Sequence, residues 1–198
     1  PTRTGFSVRN TRQCKVRNRI EMLERLQVPE VIAVRVRQEN KRSSVVEIFR
    51  KMGMPDPDAH QAVDVLMYAD IRGIESHGVS NMMQTYLNMF REGLINVNPH
   101  PKIISEAPAV ATLDSDRGFG LVIGPQAMKM AIDRAGRYGI GAVCVTNGAH
   151  FGAAAYHAAL ALEHDMIGLA MTTGSLNSSL TVLIRFPSIS ESSGTLSQ

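Results

Sequence analysis

Residues 141–171, GAVCVTNGAHFGAAAYHAALALEHDMIGLAM, carry the strongest signal for the fold class of this chain. The apolar and β-branched run over 141–146 predicts a strand, and apolar residues over 153–163 recur with the spacing of a helix. Residues 166–171 then predict a second strand. A strand, a helix and a further strand in succession are typical of an α/β sheet with helices packed on it.

Upstream of this stretch the same alternation continues and then changes to helices. Residues 109–113 predict a strand and residues 124–138 a helix, whereas Pro99 and Pro101 indicate an extended connection. Apolar residues at helical spacing predict three earlier helices, over 45–52, from Pro55 towards Ile74, and over 79–91.

These patterns divide the chain into four zones. We expect a basic, flexible extension over 1–42, a helical amino-terminal segment over 43–95, an α/β domain over 96–173, and a Ser-rich irregular tail over 174–198. The tail contains eight serines and shows no lasting alternation of apolar and polar residues.

Composition excludes some classes of protein and leaves others open. The net charge is +3, but residues 1–42 hold eleven Lys or Arg against four Glu. Such a segment suits a nucleic-acid-binding arm, a targeting segment or a solvated extension, and we expect the last. No run of eighteen apolar residues exists, so we predict no membrane span. With no Trp and 5% aromatic residues, the predicted core is aliphatic.

Cysteine usage indicates the cellular compartment. Cys14 and Cys144 are the only two cysteines, and Cys144 lies in the apolar run over 141–146. We predict a buried, inert thiol at Cys144 and a reducing, cytoplasmic setting.

Two polar strings could carry chemistry. DIRGIESHG, residues 70–78, falls between two predicted helices, so the His77 imidazole beside the Ser76 hydroxyl need not be buried. Histidine exchanges protons near neutral pH, although on spacing alone a surface or helix-capping histidine is the preferred interpretation. NGAHFG, residues 147–152, follows a predicted strand, where ligands of open α/β sheets bind, so His150 is either a ligand-binding or a structural residue.

Two further patterns resemble binding motifs without meeting their requirements. His150, His157 and His164 are seven residues apart, which on a helix is about 10 Å, too far for one metal ion. We therefore predict no metal site. GFGLVIG, residues 118–124, imitates a dinucleotide fingerprint, but its last glycine is one residue late. We interpret it as a tight turn.

The string DIRGIESHG resembles the signature of the malate/L-lactate dehydrogenase family, which is unrelated to the Rossmann-type malate and lactate dehydrogenases. Four shorter strings follow in the family's order: GLIN at 93–96, GIGAV at 139–143, NGAHFG at 147–152 and MIGL at 166–169. The likeness covers about residues 35–173. It implies the α/β fold of that family, present here as an incomplete part.

The resemblance also implies an activity and a set of site residues. Members reduce small 2-oxo acids to 2-hydroxy acids with NAD or NADP, and the histidine that matches His77 serves as proton donor, with Ser76 as its partner. His150 matches a residue near the nicotinamide, and we expect the cofactor at residues 150–152, that is His150, Phe151 and Gly152, and at Thr172. Residues 96–173 would then bind dinucleotide and substrate.

Two features separate this chain from the family pattern. Many members carry an arginine four residues after the histidine, suited to a substrate carboxylate; here that residue is Asn81, and Arg72 or Arg91 would have to supply the charge.

Members also continue well beyond the shared region. A non-catalytic relative that keeps the fold and the dimer contacts is therefore the alternative to an active dehydrogenase. For either we expect a homodimer with no nucleic-acid or membrane partner, while a nucleic-acid-binding protein using the basic arm ranks third.

Overall fold

The structure is a computed structural model, and it describes residues 36–172 and 178–184. The elements below all belong to one compact unit that begins at Gln38. Most of the predicted basic extension and most of the predicted tail lie outside the described residues. No described helix is both long and apolar enough to cross a membrane.

The amino-terminal half is helical, as predicted. It consists of α1 (Gln38–Lys51), α2 (Asp56–Ile71), a short 3-10 helix (Glu75–His77) and α3 (Val79–Arg91). The expected flexible extension over 1–42 is wrong at its last five residues, since α1 begins at Gln38. Two ion pairs connect the first turns of α1 to α2: Lys41 lies 2.6 Å from Asp70, and Arg42 contacts Asp64.

The carboxyl-terminal half is a five-stranded mixed sheet with helices between its strands. Its elements are β1 (Lys102–Ala107), β2 (Val110–Asp114), α4 (Gly120–Tyr138), β3 (Ile140–Thr146), α5 (Ala154–Ala159), a 3-10 helix (Leu160–His164), β4 (Ile167–Thr172) and β5 (Ser178–Ile184). The spatial order is β1-β2-β3-β5-β4. β2 runs parallel to β3, and β5 runs antiparallel to both β3 and β4.

The structure differs from the predicted elements in three places. The tail expected to be irregular over 174–198 contains β5, which forms hydrogen bonds with β3 on one side and β4 on the other. β1 follows the proline-rich connection and pairs with β2 through a register shift between Ile103 and Ser105. The predicted helix over 153–163 is only six residues of α-helix, followed by 3-10 turns.

Two hydrophobic clusters form the core. One packs α1, α2 and α3 together, and the other packs α4 against the sheet. Most buried residues of both clusters are aliphatic, as predicted, but the first cluster also contains an aromatic group centred on Phe119, just before α4. The Phe119 ring makes edge contacts with Phe49, Tyr86 and Phe90, at centroid distances of 5.7, 4.8 and 5.3 Å. These four residues are among the ten Phe and Tyr residues of the chain.

The sheet buries one face only. Val143 and Val145 of β3 and Leu113 of β2 pack against α4. The opposite face carries apolar side chains that no described element covers, each between 40% and 49% exposed: Val110, Ile140, Ile167, Leu169 and Met171. Cys144 is free and half-buried on this face, so the predicted burial of its thiol is incomplete.

The contact between α4 and β3 leads to a prediction. A Cβ added at Gly141 would overlap the backbone carbonyl oxygen of Ala131 in α4. Backbone cannot move aside cheaply, so Gly141→Ala should lower the free energy of unfolding by about 2–3 kcal/mol. Gly136→Ala is the matched control, because nothing lies within 4 Å of its Cβ. It should raise stability by about 0.5–1 kcal/mol, because alanine favours the helix. Urea unfolding measures both, and equal effects would contradict the packing argument.

Candidate active site

Two loops bring the predicted histidines together. His77 ends the 3-10 helix between α2 and α3, and His150 lies in the loop after β3. Their imidazole rings stack with centroids 5.7 Å apart and planes 22° apart. Residues 73 positions apart in the sequence thus form one pair.

The His77 side of the pair is exposed at its edge. Ser76 Oγ lies 2.8 Å from His77 Nδ1, and the Ser76 side chain is exposed whereas His77 is half-buried. The predicted hydroxyl partner of His77 therefore contacts it directly. His77 Nε2 makes no hydrogen bond within the described part of the chain.

Asp70 holds the turn that carries His77. Its Oδ1 accepts the backbone N–H of Val79 at 3.2 Å, which satisfies a free donor at the start of α3. Its Oδ2 pairs with Lys41. A Cβ at Gly78 would overlap the same carboxylate, so only glycine permits this approach. Asn81 Nδ2 donates to the Glu75 carbonyl at 2.7 Å and closes the turn from the other side.

The His150 side of the pair is anchored by α3. His150 Nδ1 lies 2.9 Å from the Tyr86 hydroxyl, and the backbone N–H of Gly152 donates to the same nitrogen at 3.2 Å. Tyr86 is fully buried, and burial raises its pKa, so the phenol keeps its proton. The sequence analysis missed Tyr86. The available signal was a phenol on the buried face of a predicted helix, because a buried hydroxyl needs a partner.

Two effects keep His150 neutral. Burial lowers the pKa of His150 first, because the protein interior solvates a cation poorly. The neighbouring His77 lowers it further through charge repulsion. Within the described residues, neither imidazole contacts a carboxylate that would favour its charged form.

His157 supports the His150 loop through its contacts with Phe151. Its Nε2–H donates to the Phe151 carbonyl at 2.7 Å, and its ring stacks on the Phe151 ring at 4.8 Å. It lies against Gly124 of α4, where a Cβ would come within 2.5 Å of the imidazole. Burial lowers the pKa of His157 from 6.5 to about 4, although the hydrogen bond to Phe151 acts in the other direction. The sequence analysis considered this histidine only as a metal ligand.

The glycine-rich string over 118–124 contacts the chain itself. A Cβ at Gly120 would lie 2.5 to 2.7 Å from backbone atoms of Ala149, His150 and Phe151. A Cβ at Gly118 would meet Ile123 at 2.7 Å. These glycines let α4 approach the His150 loop. The predicted tight turn is wrong for residues 120–124, which form the start of α4.

The remaining predicted residues have different positions. Arg72 lies over the Tyr68 ring, 3.6 Å from its centroid, on the side of α2 that faces Ala155. Phe151 is buried against His157, and Gly152 has a φ of +77°. Thr172 ends β4 at the sheet edge where β3 ends. One strand separates β4 from β3, so Thr172 is about 10 Å from the end of β3.

A cavity of about 340 Å³ opens between α3 and the His150 loop. Apolar side chains dominate its walls, and Arg117 is the charged residue among them. Its lining residues are Thr85, Met89, Leu94, Arg117, Asn147, Gly148 and Ala149. The described residues contain no group of three His, Cys, Asp or Glu side chains placed to hold a metal ion.

Comparisons with known proteins agree on one family. The profile of the malate/L-lactate dehydrogenases matches residues 36–182. A malate dehydrogenase of Pyrococcus abyssi is 47% identical over 70% of this chain and 38% of its own length. An L-sulfolactate dehydrogenase of Methanocaldococcus jannaschii is 39% identical over 69% of this chain and 40% of its own.

A solved structure gives the same result. The malate dehydrogenase from Pyrococcus horikoshii OT3 superimposes with a TM-score of 0.68 at 40% identity, covering 70% of this chain and 40% of that one. The chain thus spans about two fifths of the length of the curated relatives that it matches.

The burial of His157 predicts how stability depends on pH. As pH falls below 6.5, His157 takes up a proton in the unfolded chain. In the folded chain it stays neutral until about pH 4. Stability should therefore fall across this window, by about 3 kcal/mol from this group. His157→Gln keeps an N–H donor for Phe151 and does not titrate, so it should flatten the acid limb of stability against pH.

Chemical unfolding at pH 7, 5.5 and 4 measures this effect. His164→Gln is the matched control, because His164 is exposed and should leave the acid limb as in the wild type. An acid limb that stays equally steep in His157→Gln would contradict the prediction.

Proposed function

The chain belongs to the malate/L-lactate dehydrogenase family, and on that premise we propose that it carries the proton-transfer residues of a dehydrogenase. Its substrates would be small 2-oxo and 2-hydroxy acids, and its cofactor NAD or NADP. The relatives named above act on malate and on sulfolactate, according to their names. Both are 2-hydroxy acids with a second anionic group.

One observation supports this proposal above the others. Each of the stacked imidazoles, His77 and His150, is held through Nδ1. Neither Nε2 atom is bonded to any described residue. Two anchored rings with free outer nitrogens can contact the same ligand oxygen, and their fixed geometry lowers the entropic cost of doing so.

His77 is the proton carrier in this proposal. When a 2-oxo acid is reduced, its keto oxygen gains negative charge, and a proton on His77 Nε2 would neutralise it. In the oxidation direction the neutral ring takes the proton back. Ser76 Oγ bonds to Nδ1 and holds the ring plane during the exchange. Such positioned proton transfer contributes about 10²–10⁴-fold to a rate.

The nicotinamide cofactor supplies the hydride when it is bound. We place it at the carboxyl edge of the sheet, where ligands of open α/β sheets bind. Gly118 and Gly120 would not contact it, because the chain's own atoms fill the space beside both glycines. His150, Phe151 and Gly152 would contact its nicotinamide end through the His150 edge and the loop backbone. Thr172, at the same edge of the sheet, would lie farther along it.

The substrate carboxylate would meet Asn81 at the start of α3. The Asn81 amide N–H already donates to Glu75, so it offers a carboxylate limited hydrogen bonding and no charge. Arg72 stacks on Tyr68 and would have to leave this ring to help. This neutral environment favours the second candidate function, a relative that keeps the fold without turnover.

Two further proposals concern the state of the protein. Met82 and Met83 of α3 are only partly buried, and this helix could contribute to a homodimer contact. Size-exclusion chromatography with light scattering would test it. A cytoplasmic location fits Cys144, which has no disulfide partner among the described residues.

A kinetic experiment tests the role of His77. The protein that contains this chain should oxidise NADH or NADPH in the presence of oxaloacetate, pyruvate or a cyclic imino acid. His77→Ala should lower kcat/KM by about 10²–10⁴-fold, because it removes the proposed proton donor to the keto oxygen. His100→Ala, an exposed histidine outside the site, should keep wild-type rates. A folded protein without turnover or quenching of nucleotide fluorescence would favour the non-catalytic alternative.

Charge at residue 81 should control substrate affinity. Asn81→Arg would add a bidentate cation four residues after His77 and should lower KM for a 2-oxo acid about tenfold. Asn81→Asp is the matched opposite and should raise KM, because it repels the carboxylate. Equal KM values for the two variants would remove Asn81 from the substrate site.

A further inference from the structure

We propose that His150 acts as a neutral hydrogen-bond donor through Nε2–H, and that Gly152 and Tyr86 fix this tautomer. Tyr86 is then a positioning residue of the site, which acts on the ligand through His150. The use of the donor in reduction rests on the proposed function. The tautomer itself depends only on contacts within the chain.

The backbone N–H of Gly152 determines which nitrogen of the His150 ring carries no proton. A peptide N–H can only donate, and it points at His150 Nδ1 from 3.2 Å. A proton on Nδ1 would face this N–H directly, so Nδ1 must present its lone pair. A neutral imidazole carries one proton, and it therefore sits on Nε2.

Tyr86 strengthens the same assignment. Its hydroxyl lies 2.9 Å from Nδ1 and must donate, because Nδ1 has no proton to give. The Tyr86 ring is fully buried and packs edge-on against Phe119 at 4.8 Å, so the hydroxyl cannot swing away. A phenol in this environment keeps its proton and remains a donor.

The groups around His150 oppose a charge on its ring. His77 from the 3-10 helix stacks on one face, and a second cation there would repel it. Tyr86 from α3 and the loop backbone supply neutral dipoles, and no described carboxylate contacts the ring. The two histidines therefore have different roles: His77 exchanges the proton, while His150 donates a hydrogen bond to a ligand carbonyl or carboxylate oxygen.

Nitrogen-15 NMR of the labelled chain measures the tautomer directly. Long-range proton–nitrogen spectra at pH 7.5 should show His150 with a bare Nδ1 and a protonated Nε2. Tyr86→Phe removes one donor to Nδ1 and keeps the ring, so the ratio of the Nδ1–H to the Nε2–H tautomer should rise about fivefold. Tyr68→Phe is the matched control, because the Tyr68 hydroxyl bonds to the Ala155 carbonyl and not to a histidine.

Each outcome decides the proposal. An Nδ1–H tautomer or a charged His150 in the wild type would overturn it, and an unchanged ratio in Tyr86→Phe would overturn the positioning role of Tyr86. Should Tyr86→Phe not fold, 3-fluorotyrosine incorporated into the wild type gives a stronger donor and should shift the His150 Nδ1 resonance; no shift counts against Tyr86. These spectra need no cofactor, so absence of turnover would reject the proposed function and leave the tautomer result intact.

Discussion

The hydrogen bond between Tyr86 and His150 connects the two halves of the molecule. Tyr86 belongs to the helical cluster, where its ring contacts Phe119, and His150 belongs to the loop that follows β3. The residue that completes the core beside Phe119 therefore also orients a ring of the candidate site. Because α4 begins just after Phe119 and packs on β3, the position of the sheet relative to α3 and the position of His150 are determined together.

The parts of the fold predicted from sequence are those set by local periodicity. Apolar spacing identified the first three helices and the strands that became β2, β3 and β4 within a few residues, except that α1 begins seven residues before its predicted start. β5 was missed because its strand state comes from two neighbours far away in sequence, β3 and β4. The aromatic group within the mostly aliphatic core was missed for a similar reason: a low average aromatic content does not show that four rings meet at Phe119.

For the candidate site, too, residues in local sequence motifs were predicted, and residues that depend on distant partners were missed. The string around Ser76 and His77 and the string around His150 supplied the candidate residues, and the structure places the two imidazoles in contact. Tyr86 and His157 were not predicted, since their roles depend on partners brought close by the fold. Tyr86 needs His150, 64 positions away, and His157 needs Gly124 to leave room for its ring. Burial holds both supporting groups neutral, because it raises the pKa of Tyr86 and lowers the pKa of His157.

The uncovered side of the sheet has a practical consequence. Cys144 lies in the middle of it, between β2 and β5, and is the one free thiol among the described residues. In a Cys14→Ser variant, in which Cys144 is the single thiol of the chain, a maleimide-linked fluorophore would report on the polarity of this surface. Its emission would distinguish a surface left in water from one covered by more protein, and would give a direct readout of assembly.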